Sequence, residues 1–419
     1  MRIAFTFENT LPATAADAEV FLNTAAALAR RGHEAVLVAP QPAHVGAGFE
    51  ELVRREHQLS GPLEFHPLQS ASRNIGLQHL KHANMLANSA VARDADVVYT
   101  RNMVVALRCL AAGHRVFFDH YRPWGDQFPP LQLMIRQMFA HPGFVGMVSH
   151  SAVAKDAYVR IGAPDEAIRV VHNGYSPERM SPVLEQSEAR AQLGIADDAK
   201  LVVYTGRINQ RKGLDTVLDL ARSLPDATFM LVGSEGHGLI EHAAEDIPNV
   251  KIIPWQPSAA TARYLYAADV LIIPPSASPM LEYGNTVLPL KIFLYLAAGR
   301  AIYAPASPDV CEVLVHDENA CLVATDGAPT EADSLGALLA DEARMRRLGR
   351  AARELSEALT WDARAERIEA FLAERILAAP TSLDPRWSRG QWLRETAGWL
   401  REGVLRGRWV GATRYRAAC

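Results

Sequence analysis

Val203-Tyr-Thr-Gly206-Arg207-Ile-Asn-Gln-Arg-Lys212-Gly213-Leu-Asp215 runs from an apolar strand into a glycine, a spread of basic residues, a second glycine and the start of a helix. Gly206 lets the backbone turn close to a bound group, and a helix beginning near Gly213 offers unpaired N–H groups to an anion. Arg207 suits bidentate contact with phosphate oxygens, and Lys212 adds a point charge. Alone, the stretch reads equally well as an exposed basic loop. What lies around it decides the matter.

Downstream, Ala268-Asp-Val-Leu-Ile-Ile-Pro274 is followed by a polar loop and then by Leu288-Pro-Leu-Lys291-Ile-Phe-Leu294-Tyr-Leu-Ala-Ala-Gly299. Gly284, Asn285 and Thr286, directly ahead of that helix, can present N–H groups and a hydroxyl to a second phosphate. Apolar runs at Leu201–Thr205, Thr228–Val232, Lys251–Ile253, Val270–Pro274, Ala301–Ala304 and Cys321–Ala324 alternate with helical patterns. Unbroken apolar runs separated by helices predict a parallel, doubly wound sheet covered on both faces.

Upstream, the same rhythm appears at Ile3–Phe7, Ala35–Ala39, Val97–Tyr99, Val116–Phe118, Val145–Val148 and Arg169–Val171, with a helix over Asp17 to Arg31 after the first run. The predicted fold class is therefore α/β, two tandem Rossmann-like domains facing a central cleft. The expected boundaries are a first domain over 1–178, a linker over 179–195, a second domain over 196–376 and a Trp/Arg-rich tail over 377–419. In open α/β sheets ligands lie beyond the carboxyl ends of the strands, so residues just after each strand are the first suspects.

The chain's length of 419 residues suits two such domains. A net charge of −4 argues against a nucleic-acid partner, and four cysteines without C-x-x-C spacing suggest neither a disulfide framework nor a zinc site. Glu8 and Asn9 break the first apolar run before it could serve as a signal sequence, and no run of about 18 apolar residues occurs. The expected setting is the cytoplasm or the inner face of a membrane.

Taken together, these residues resemble the GT-B glycosyltransferases of the family-4 type, which are retaining enzymes. The matching elements are Arg30-Arg-Gly-His-Glu34, Asn173-Gly174, Gly206-Arg207 with Lys212-Gly213, the Pro-Leu-Lys291 helix with Ala297-Ala-Gly-Arg300, Asp309-Val-Cys-Glu-Val-Leu314 and Asn319-Ala-Cys-Leu-Val323. The resemblance implies transfer of a sugar from a nucleoside-diphosphate sugar to a hydroxyl acceptor, with no cofactor and no metal. It gives Arg207 and Lys212 the donor diphosphate and makes the loop from Gly284 to Lys291 close over it. It also implies a role near the donor sugar for His120, which follows a first-domain strand. Trp255, just after the Lys251–Ile253 run, reads as either a neighbour of the nucleotide base or a packing residue.

Two positions depart from the family's pattern. The helix position where the family keeps a ribose-binding glutamate is Leu294, with Glu282 the nearest substitute, and the usual glycine-rich loop after the first strand is replaced by Asn9-Thr-Leu-Pro-Ala-Thr-Ala-Ala16. The alternatives are a catalytically silent nucleotide-sugar-binding protein and a nucleotide-sugar epimerase of the same fold. Asp94-Ala-Asp96 precedes its strand, which is the wrong edge for a metal site. In the tail, Trp392, Trp399, Arg394 and Arg401 suit either a membrane interface or a segment packed back on the first domain.

Overall fold

The computed structural model describes residues 1–13, 15–42, 46–277, 288–324, 330–379 and 401. Glu282, Gly284, Asn285 and Thr286 lie outside the described residues, as do 380–400 and 402–419 of the tail. The chain divides into two compact units, one holding Met1–Asn173 and the segment that begins at Trp361, the other holding Gly174–Thr360.

The first unit is built on a parallel sheet of seven strands: β1 (Arg2–Thr6), β2 (Glu34–Pro40), β3 (Glu64–Leu68), β4 (Val97–Thr100), β5 (Val116–His120), β6 (Phe144–Ser149) and β7 (Ile168–Val170). Their order is β3-β2-β1-β4-β5-β6-β7. The inner strands β1, β4, β5 and β6 are buried nearly throughout, as continuous apolar runs require. β3 is the strand that apolar runs do not predict. Its sequence, Glu64-Phe-His-Pro-Leu68, is polar and carries a proline, which an edge strand tolerates because it has a free side. Each helix joining the strands begins at a local cap where one is available: Asn74 accepts from the Leu77 N–H, and Asn102 from those of Val104 and Val105.

The second unit has six parallel strands: β8 (Lys200–Thr205), β9 (Ala227–Ser234), β10 (Val250–Pro254), β11 (Val270–Ile272), β12 (Ala301–Pro305) and β13 (Cys321–Val323). Their order is β10-β9-β8-β11-β12-β13. Two apolar clusters cover the sheet's faces, one around Leu201, Val203, Leu271 and Ile302, the other around Val202, Tyr204, Val270 and Tyr303. Alternate residues of each strand feed opposite clusters, the consequence of period-two side-chain alternation.

Both sheets reverse their winding once. The chain travels outward from β1 through β2 to β3 and then returns to β4 on the other side of β1, and it does the same from β8 through β10 to β11. The switch points lie between β1 and β4 and between β8 and β11, where this architecture opens a crevice for a ligand.

Two segments sit differently from their sequence order. The helix Trp361–Ala378, expected to close the second domain, packs on the first unit against the helix Ala16–Arg30 and β6. Arg30 and Arg31 pair with Asp362 at 2.6 Å and Glu369 at 2.5 Å, and His33 lies 3.1 Å from Glu369. The Arg30-Arg-Gly-His33 segment thus holds the returning helix. The stretch 179–195, expected to be a linker, contains the helix Gln186–Leu193, which packs inside the second unit on the helix Ser258–Ala267. Buried Arg190 anchors it through Asp269 at 2.7 Å.

Candidate functional site

At the switch point of the second unit, β8 ends at Thr205 and the chain passes through Gly206 at φ 128°. Gly206 lies against Gly233 from β9 so closely that a Cβ added to Gly233 would stand 2.5 Å from the Gly206 carbonyl oxygen. A side chain on Gly233 would drive the two strand ends apart, and both glycines hold positive φ that other residues rarely adopt. The 3₁₀ turn Gln210–Lys212 follows, then Gly213 in the left-handed region (φ 68°) as the residue preceding the helix Leu214–Ser223.

Lys291 enters the same place from the other side of the switch. It opens the helix Lys291–Ala298, which follows β11 in the chain, and its ammonium stands 3.5 Å above the centre of the Tyr204 ring. A Cβ on Gly206 would come within 3.2 Å of that ammonium, so a side chain there would displace it. Tyr295, one turn further along the helix, accepts the Thr205 N–H at 2.8 Å, which ties the helix to the end of β8.

Arg207, Lys212 and Lys291 therefore converge beyond β8 and β11. Burial, and then Arg207, lowers the pKa of Lys212; burial, and then Lys212, pushes that of Lys291 well below the ordinary lysine range. Each lysine is depressed first by burial and then by a neighbouring cation, so positive charges crowd together here. Arg207 points its Nε at Glu235, at 3.2 Å and 3.1 Å from the two carboxylate oxygens.

The other second-unit residues expected at a site are placed as follows. Trp255 follows β10, is 60% exposed, and its N–H donates to the Ser234 carbonyl at 2.8 Å, so it stands at the sheet's carboxyl edge as a surface aromatic, outside the packed core. Leu294 packs against the apolar cluster together with Leu290 and Ile253. Glu235 was not foreseen, because nothing local to its sequence marks it. Asp96 accepts the Arg2 N–H at 2.8 Å, at the amino-terminal edge of the first sheet and away from its ligand-binding side.

His120 ends β5 and is 1% exposed. Its ring stacks on Phe118 and stands edge-on to Trp124. Burial, then the Arg101 charge, lowers its pKa to about 3, so the ring is neutral near pH 7. Nδ1 sits 3.0 Å from the Arg122 carbonyl oxygen and 2.9 Å from the Tyr158 hydroxyl. The Arg122 N–H donates to the same Nδ1 at 3.3 Å, and the Tyr158 hydroxyl donates to the Arg122 carbonyl at 3.0 Å.

Beside His120 lies a buried polar network that sequence reading missed. Asp119 meets Arg364 at 2.7 Å and Arg101 at 3.9 Å, and the Tyr99 hydroxyl donates to it at 2.7 Å. Burial raises the Asp119 pKa, but Arg364, Arg101 and the hydrogen bonds outweigh it and hold the carboxyl below its usual range. Glu8, just past β1, has its pKa raised by burial. Glu8 and Arg101 follow the carboxyl ends of β1 and β4, and Asp119 is the penultimate residue of β5, so these three stand on the side where ligands bind in such sheets.

The family described as Glycosyltransferase Family 4 matches residues 18–179, and the one described as Glycosyl transferases group 1 matches residues 185–355. The structure is similar to sucrose-phosphate synthase from Thermosynechococcus elongatus, with a TM-score of 0.70 at 18% identity over 90% of this chain and 99% of that one. It is also similar to Anabaena HepE crystallised with UDP, with a TM-score of 0.68 at 18% identity over 89% of this chain and 100% of that one. The chain belongs to the GT-B glycosyltransferases.

Among curated relatives, the D-inositol 3-phosphate glycosyltransferase of Xylanimonas cellulosilytica is 28% identical over 223 residues, covering 50% of this chain and 52% of that protein. The alpha-galactosylglucosyldiacylglycerol synthase of Streptococcus pneumoniae is 28% identical over 145 residues, covering 31% and 39%. The match thus spans about half the length or less of these relatives.

Proposed function

We propose that this protein transfers a glycosyl group from a nucleoside-diphosphate sugar to a hydroxyl acceptor, holding the donor's diphosphate with Arg207, Lys212 and Lys291. The observation that carries the reading is the convergence of these three cations at the β8/β11 switch point, on a floor opened by Gly206 and Gly233. When the bond from the anomeric carbon to the diphosphate breaks, negative charge builds on the departing oxygens. Cations and N–H groups already in place stabilise that charge without reorganising, which is the largest single contribution in reactions of this kind. The cations do here what a divalent ion does elsewhere, so the reaction needs no protein-bound metal.

HepE, crystallised with UDP and with UDP-glucose, supports a nucleotide-sugar donor for a fold of this shape. Retention of configuration, and a role for neutral His120 as a hydrogen-bonding partner of the donor sugar, rest on the family resemblance. Trp255 would offer its exposed ring to the base. The Gly284-Asn-Thr286 loop keeps the donor-side role that the sequence gives it, and the tail keeps its two readings, an interfacial helix or a packed segment.

The test is to incubate the full chain with UDP-, GDP- and ADP-sugars, with and without a panel of hydroxyl acceptors, and to follow release of free nucleoside diphosphate together with the glycosylated product. Release coupled to acceptor glycosylation is the expected result. Isomerised donor formed without acceptor would replace this reading with an epimerase, and tight nucleotide binding with no turnover would replace it with a silent binding protein.

A further inference from the structure

The cation cluster of the second unit holds a carboxylate for which phosphate binding has no use. A diphosphate and a carboxylate repel each other, yet Glu235 stands within 3.1 Å of the Arg207 guanidinium. Resting on the nucleoside-diphosphate reading above, we propose that Glu235 binds the ribose hydroxyls of the donor nucleotide, and that the ribose subsite lies beyond β9, between Trp255 and Arg207.

β10, β9 and β8 are consecutive neighbours, and Trp255, Glu235 and Arg207 follow their respective carboxyl ends. Adjacent strands lie about 4.8 Å apart, so the three side chains rise from a row of neighbouring strand ends. A nucleoside diphosphate has the same linear order of parts: base, ribose, phosphates. With its phosphates at Arg207 and Lys212 and its base toward Trp255, its sugar falls over Glu235.

Glu235 is also fixed from both sides of that row. Glu235 is ion-paired to Arg207, and Ser234, its neighbour in the chain, accepts the Trp255 N–H through its carbonyl at 2.8 Å. The loop is braced from behind. The Ser234 hydroxyl lies 2.8 Å from both the Gly236 carbonyl and Glu241 Oε1, and the Gly238 N–H donates to Glu241 Oε2 at 3.1 Å. A carboxylate on a braced loop is pre-organised to accept from two vicinal hydroxyls without ordering a mobile segment first.

On the other side of the cation cluster, the helix Lys291–Ala298 gives Leu294 to the apolar cluster with Leu290 and Ile253. No carboxylate occurs from Leu288 to Ala298, so this helix cannot supply the acceptor. Glu235 supplies one from the opposite side of β8.

Glu235 could instead serve only as a counter-ion that holds Arg207, and the two roles part in one experiment. Titration calorimetry on the full chain would measure UDP, 2′-deoxy-UDP, 3′-deoxy-UDP and inorganic pyrophosphate in wild type and Glu235→Ala, with GDP or ADP and their deoxy forms replacing the uridine series if that is the base bound. The exposed position of Glu235 makes the variant's fold safe, and a thermal midpoint within a degree or two of wild type checks this. The expected result is a wild-type preference for the ribonucleotide of about tenfold or more over at least one deoxy form, falling to within about threefold in Glu235→Ala, while pyrophosphate binds the variant as tightly as wild type or more tightly. A counter-ion role would change ribo- and deoxynucleotide alike and leave their ratio unmoved, and that result overturns the proposal, as does a wild type that does not discriminate. Failure of UDP, GDP and ADP to bind at all would overturn the donor reading beneath it.

Discussion

Arg364 reaches from the helix Trp361–Ala378 to Asp119 at the end of β5, with 2.7 Å between guanidinium and carboxylate and both side chains at 2% exposure or less. The same guanidinium donates to the Val171 carbonyl at 2.6 Å and to Thr24 at 3.2 Å, so it binds β5, the end of the β7 segment and the helix Ala16–Arg30 at once. Asp119 directly precedes His120, and the pair therefore fixes the strand end that carries the histidine.

Breaking this pair from one side leaves a buried charge uncompensated. Arg364→Met is expected to destabilise the first unit by about 3–5 kcal/mol, whereas Asp119→Asn combined with Arg364→Met recovers a large part of the loss because no lone charge remains. Urea unfolding followed by a first-unit probe checks both. Equal losses in the single and double variants would mean that packing, and not charge compensation, carries the effect.

The buried histidines make the first unit sensitive to acid. Burial lowers the pKa of His82 to about 4, that of His120 to about 3 and that of His141 to about 4, against an ordinary value of 6.5. Between those values the unfolded chain binds more protons than the folded one. The stabilisation is fully present above about pH 6.5 and is lost progressively as the pH falls towards 3 to 4, at up to about 1.4 kcal/mol per pH unit for each histidine. Thermal midpoints between pH 7.5 and 5 at constant ionic strength should fall with decreasing pH, and His82→Gln should shallow the slope. A flat profile would contradict the burial of these rings in solution.

Turnover should survive chelation. If Arg207, Lys212 and Lys291 carry the charge of the leaving diphosphate, EDTA leaves the rate within about twofold of its starting value. Loss of activity on chelation, restored by magnesium or manganese, would show that the cations alone are insufficient.

The tail is tested by truncation. A chain ending at Ala379 should lose binding to anionic vesicles, most steeply at low salt, if residues 380–419 form an interfacial helix. Unchanged binding, or a truncated protein that unfolds, would favour the packed tail.

How far the sequence foretells these features depends on whether their signal is local. The inner strands announce themselves as apolar runs because both faces of a parallel sheet are covered, and the loop from Gly206 to Gly213 announces itself because glycine, arginine and lysine directly follow such a run. β3 does not, since at an edge the polar residues Glu64 and His66 and the proline at 67 are all admissible. Glu235 is invisible for a different reason: its proximity to Arg207 comes from the pairing of β9 with β8, and strand order is a property of the whole sheet. The Arg364–Asp119 pair spans 245 residues of sequence, and nothing near either residue marks the other as its partner. Helix Trp361–Ala378 shows an amphipathic pattern without saying which unit its apolar face will cover.

The central claim is that the second unit holds a nucleoside diphosphate through its cations, and calorimetric titration of the full chain with UDP, GDP and ADP tests it most directly. At least one should bind saturably, and Arg207→Ala and Lys212→Ala should each weaken that binding by tenfold or more, since each removes a charge-assisted hydrogen bond of about 1.5–3 kcal/mol. Binding of none of the three nucleotides, or affinities unchanged in both variants, would contradict the account.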